Sequence, residues 1–148
     1  MQHPIWLTAA LLLGLSKTVL ALPVTELPVQ SYEIEDPSEF NKQIISEIET
    51  TGDPWSFQPL YLTTRYLQGI TGTAFIKQEI PPEEGREFPN KIVVTAIQDC
   101  YFDDSVRGEW AEILFIRYGD AWLIENVKRA YLCYRGDNTD SFQKEPCP

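Results

Sequence analysis

The segment VRGEWAEILFIRYGDAWLIENVKRAYL, residues 106–132, reads as a pair of long strands joined by a tight reversal. Val106 to Tyr118 carries Trp110, Ile113, Leu114, Phe115 and Ile116, a density of large apolar and β-branched residues that suits a pleated, packed surface. Gly119-Asp120 supplies turn chemistry of the hairpin kind. Ala121 to Leu132 returns with Trp122, Leu123, Ile124 and Val127. Successive strands joined by short turns pair antiparallel.

Working outward, Ile92 to Ile97 is a short β-branched run bounded by turn residues, the pattern of a buried strand. Pro81 to Pro89 reads as a loop, and Ala74 to Ile80 alternates loosely enough for a further strand. Gly69 and Gly72 mark the turn before it. Upstream the period changes to helical. Asp36 is placed to cap a helix, Pro37 stands at its first position and Glu39 follows as in a capping box. Phe40, Ile44, Ile45 and Ile48 fall on one face, with Lys42, Gln43, Glu47 and Glu49 on the other, and Gly52 is a natural stop. Asp53-Pro54 repeats the start signal, and Pro59 restricts the second helix to a late start or a short, broken run. Helices first and a strand meander afterwards predict an α+β domain, residues 36–148, with the helix or helices packed on a curved antiparallel sheet. By analogy of element order this is a cystatin-like or nuclear-transport-factor-like roll. Residues 22–35, with Pro23 and Pro28, read as an extended and loose lead-in.

The N-terminus predicts export. Ile5 to Leu15 is apolar but too short to span a bilayer, which takes roughly 20 residues. Val19-Leu20-Ala21 fits a cleavage site, so residues 1–21 read as a signal peptide cut before Leu22, with no stable membrane insertion after cleavage. The expected destination is the periplasm, a lumen or the extracellular space. Loss of Lys17 leaves 11 basic and 22 acidic residues, a net charge of −11. Residues 22–87 hold 12 of the acids against 4 bases, and residues 88–148 hold 10 against 7. Such a surface argues against nucleic acid as a partner, because phosphate contacts depend on Lys and Arg. The one histidine, His3, leaves with the signal peptide. The remainder therefore has no imidazole for Ser-His-Asp or Cys-His catalysis, or for the commonest transition-metal ligation.

Cys100, Cys133 and Cys147 all remain, and an oxidising compartment favours one bridge with one thiol left over. Three pairings are open. Cys133 with Cys147 is favoured, because the polar segment between them has little apolar content to fold it and a bridge would tie it to the sheet. Cys100, just past an apolar strand, then reads as a free, buried thiol. Asp99 beside it would raise rather than lower its pKa, which disfavours a catalytic role.

Other polar clusters read as structure before chemistry. Asp99, Asp103 and Asp104 could offer carboxylates to calcium, but their spacing departs from the EF-hand loop and Asp is at home in turns. Asp137 and Asp140 read the same way. Trp55, Trp110, Trp122 and the tyrosines could line a pocket, though at strand positions they suit core and cross-strand pairs. Lys128, Arg129 and Arg135 form a small basic patch that reads as a solvated strand face. No catalytic residue, metal ligand set or cofactor is expected.

The C-terminal half resembles an uncharacterised group of small exported cyanobacterial proteins. Asp103-Asp104-Ser105-Val106, Trp122, Cys133, Arg135-Gly136, Asp140, Phe142 and Cys147 carry the resemblance. Tyr134-Arg135-Gly136-Asp137 departs from it where a fuller Gly-Arg-Gly turn is expected. The resemblance implies a Cys133–Cys147 bridge and an envelope or luminal location, and implies no activity. The expected function is a non-enzymatic binding or interaction module of the cell envelope, taking a partner protein or a small ligand. The alternative is a small hydrolase or isomerase that works through carboxylates in a pocket of the roll.

Overall fold

The computed structural model describes residues 22–51, 53–69, 73–85, 87–99 and 104–148. The expected signal peptide, Gly52, Gly72, Cys100 and Asp103 lie outside these residues, as does the side chain of Trp55. Strand β1 is Glu33–Glu35, helix α1 Ser38–Thr51, helix α2 Pro59–Tyr66, and strands β2 to β5 are Thr73–Glu79, Lys91–Asp99, Val106–Tyr118 and Ala121–Cys133. The strands form one sheet in the order β1-β5-β4-β3-β2, antiparallel at every pairing. The chain is thus α+β, with helices ahead of an antiparallel meander. Among the described residues no helix is long and apolar enough to cross a membrane.

Helix α1 starts where the capping residues direct it. The Asp36 carboxylate accepts hydrogen bonds from the Ser38 backbone N–H and hydroxyl, which satisfies a donor that the first turn leaves orphaned. Ile44 is fully buried, and Phe40, Ile45 and Ile48 pack around it. Pro59 does not interrupt α2; it occupies the first helical position, where a missing N–H costs nothing. Gly119, with φ +60°, closes the β4–β5 hairpin in a backbone conformation that side chains disfavour.

Both faces of the sheet are covered. Helices α1 and α2 lie on one face over Val94, Ile113, Phe115, Trp122 and Val127. The other face carries a smaller core of Ile97, Ala130, Leu132 and Phe142, flanked by Val24, Leu27, Val29 and Trp110. Here the structure corrects the reading of residues 22–35 as a loose lead-in. Val29 bridges Phe142, Gln30 donates to the Phe142 carbonyl at 2.9 Å, and β1 pairs with β5. Residues 24–30 and the segment around Phe142 therefore cover one another. The physical reason is that a sheet apolar on both sides needs a second cover, and the helices supply only one.

Cys133 and Cys147 are bridged, with Cα atoms 5.4 Å apart, so the favoured pairing is the one found. The segment between them is better anchored than its composition suggests, since Phe142 and Ser141 are buried.

Candidate functional site

Four side chains from four elements meet where β1 and β5 pair. On β4, Glu109 shares the face of Ala111 and Ile113, and its side chain is 6% exposed. A carboxylate buried that deeply requires a cation. Arg129 on β5 provides it, with Nη1 3.2 Å from Glu109 Oε1 and Nε 2.8 Å from Glu35 Oε1 on β1. Tyr66 of α2 donates its hydroxyl to Glu35 Oε2 at 2.8 Å, and the Arg129 guanidinium lies over its ring, 5.9 Å from the centroid. Burial opposes the charge on Arg129, but Glu109 and Glu35 together outweigh it and hold its pKa above the ordinary value. Burial and the bond to Glu35 push the Tyr66 phenol up. The arrangement corrects the reading of Arg129 as part of a solvated basic face. Lys128 points to the opposite face, paired with Glu112 at 2.7 Å and set over the Tyr32 ring at 5.1 Å, and Arg135 is exposed beside Asp104 at 3.5 Å. The three basic residues do not form one patch.

A carboxylate-dependent enzyme needs two acids converging on a reacting atom. Glu35 and Glu109 are brought together, yet both are directed onto Arg129, and Glu35 also accepts from Tyr66. That is the geometry of a clamp joining β1, β4, β5 and α2. The remaining acidic candidates are dispersed. Asp99 contacts Arg107 at 3.1 Å, Asp104 lies beside Arg135, and Asp137 and Asp140 are exposed on the disulfide-closed loop.

A second site lies at the other end of the same sheet face. Arg117, near the end of β4, is directly opposite Trp122 across the hairpin, and its guanidinium stacks on that buried ring, 5.1 Å from the centroid. Its backbone N–H donates to the Asn90 carbonyl at 2.8 Å, which anchors the strand end. The groove beside it has a volume of about 720 Å³ and is walled by Pro59, Leu60 and Tyr61 of α2, Gln78 of β2, Pro89 and Ile92, together with the polar Asp53, Ser56 and Gln58. Leu60 and Tyr61 are 47% and 52% exposed, so the rim is apolar and open. Among the described residues no carboxylate lies within ion-pair distance of Arg117, whereas Arg65, Arg107, Arg129 and Arg135 each have one. The local sequence carries part of this signal: it offers Trp122 as a candidate pocket residue but not Arg117, whose partner ring is set by hairpin register.

No protein-family model matches the chain, and no curated protein or solved structure matches it either.

Proposed function

We propose that this chain is a non-enzymatic binding module of the cell envelope, and that its ligand is a small molecule with an anionic group and an apolar body, held at Arg117. The observation that carries the reading is the Arg117–Trp122 stack, a cation in an acidic chain with no carboxylate partner among the described residues, on the wall of an apolar groove. The stack orients the guanidinium without neutralising it. Arg presents a planar fork suited to a carboxylate or phosphate, and stacking on an aromatic face leaves that fork free. Leu60, Tyr61, Pro59 and Pro89 would meet the apolar body.

Export, the signal peptide and membership of the small cyanobacterial group belong to the same reading. Their support is the leader composition, the Cys133–Cys147 bridge and the residues between Asp103 and Cys147 that carry the resemblance. The roll analogy, cystatin-like or nuclear-transport-factor-like, rests on helices preceding an antiparallel meander.

The test is a fluorescence titration with linear and aromatic carboxylates, each beside its neutral amide. Trp122 lies under Arg117, so a ligand there should alter tryptophan emission saturably for the acids and not the amides. Arg117→Gln should abolish the response. A response to neither series, or one that Arg117→Gln retains, would rule the groove out.

A further inference from the structure

Strand β2 ends the sheet at one side. Among the described residues it pairs with β3 alone, and every residue from Ala74 to Glu79 is exposed. A free edge offers a row of backbone donors and acceptors to another strand. This edge is also apolar on both faces. Ile76 is 37% exposed on the helix-bearing face and Phe75 43% exposed on the other, and Ile80, just past the strand and of the same parity as Ile76, is also 37% exposed. Edge strands are ordinarily blunted by charge. Here Lys77 and Glu79 stand two residues apart on one face and pair with each other at 2.8 Å, so the edge carries both signs of charge in alternation.

We infer that the partner for this edge is a second copy of the chain, paired antiparallel through β2 about a twofold axis at Gln78. Charge selects the register. A twofold at Lys77 would set the two lysines against each other. One at Ile76 would set Lys77 against Phe75 and leave Glu79 against Thr73. A twofold at Gln78 sets Lys77 of each copy opposite Glu79 of the other, and Ile76 opposite Ile80 of the other. Directly opposed residues share a face. The two isoleucine pairs therefore bury apolar surface on the helix-bearing face while the ion pairs lie on the opposite one. Pro81 and Pro82 follow Ile80 at once and lack N–H donors, so the ladder stops there. A ladder this short makes a reversible dimer. Gln78 also lines the Arg117 groove, so the axis brings both grooves side by side on one face of a continuous sheet. The dimer does not depend on what the groove binds, and its tests need no ligand.

The test is sedimentation of the purified chain over a concentration series, with circular dichroism to show that each variant is folded. The natural chain should dimerise as concentration rises. Lys77→Glu and Glu79→Lys should each raise the dissociation midpoint by about tenfold or more, because like charges then face each other twice. Mixing the two variants should restore a dimer, since each now carries the charge its partner lacks. Gln78→Cys should cross-link on oxidation, because opposed Cα atoms in an antiparallel pair lie within disulfide range. A natural chain that stays monomeric to several hundred micromolar overturns the inference. So does a dimer indifferent to both charge reversals, or a variant mixture that fails to associate.

Discussion

The side-chain amide of Asn41 engages both backbone groups of Ile124: Nδ2 donates to the carbonyl at 2.7 Å, and Oδ1 accepts from the N–H at 3.0 Å. The position is a consequence of strand register. Leu114 opposes Asn126 while Phe115 opposes Ile124, so β5 carries one extra residue there. A bulge leaves backbone groups outside the ladder, and a helix lying across it can satisfy them only with a side chain that both donates and accepts. Asn41 thus fixes where α1 crosses the sheet.

Asn41→Ala should cost about 1–3 kcal/mol, the range for leaving part-buried backbone groups unsatisfied. Chemical denaturation should show a lower midpoint with an unchanged slope. An unaltered midpoint would mean that solvent reaches the bulge and replaces the amide.

The Arg129 clamp should be asymmetric to mutation. Arg129→Met leaves Glu109 buried without its cation, and breaking such pairs costs about 3–5 kcal/mol. Replacing both partners, Arg129→Met with Glu109→Leu, removes the orphaned charge and should recover much of that loss. A double-mutant cycle measures the coupling. Additive losses would show that the pair contributes nothing jointly.

Acid and alkali should act on different residues. Arg65 hydrogen-bonds Glu47 and holds its carboxyl below the ordinary carboxylate range; Ser38 does the same for Asp36. A folded-state pKa below the unfolded one gives stability that is present above the unfolded value, about 4 for these groups, and lost as pH falls through the folded value. Glu47→Gln should therefore flatten the acid limb of the stability profile. Tyr66 works in the opposite direction. Its pKa is raised in the fold, so its contribution is complete below the ordinary tyrosine value of about 10 and disappears as pH rises beyond it. Phenolate absorbance should show a late-titrating tyrosine that Glu35→Gln shifts toward the ordinary value. The same curve in both proteins would sever the link between Tyr66 and Glu35.

Reducing Cys133–Cys147 should cost about 3 kcal/mol, the loop-closure entropy of a span of about 15 residues, and loosen one face of the sheet first. The exchange of backbone hydrogen bonds between Tyr131 and Gln143, at 2.7 and 2.9 Å, lies inside that loop. Hydrogen exchange should lose protection at Gln143 and Phe142 before it changes in the β3–β4 ladder. Uniform loss across the sheet would instead mark the bridge as a requirement for the whole fold.

Much of the architecture is written in local pattern. Asp36-Pro37 starts α1, Gly119-Asp120 closes the hairpin, and the β-branched and aromatic runs form β3 to β5, because capping, turn conformation and side-chain period all act within a few residues. The Cys133–Cys147 pairing was legible for a related reason, as a polar stretch flanked by thiols has something for a bridge to restrain. Glu109 is not among the residues the sequence singles out, although the signal was there. It shares the strand parity of Ala111 and Ile113, which places an acid on the core-facing side, where it needs a charged or hydrogen-bonding partner. Which cation could not be read, since Arg129 reaches Glu109 only through the β4–β5 register and reaches Glu35 only because β1 returns to the sheet edge. The same holds for Phe142 with Val29, for Asn41 with the bulge at Ile124, and for Arg117 on Trp122. In each case the energy lies in a contact whose partners are set by strand register and chain return, and no local periodicity encodes either.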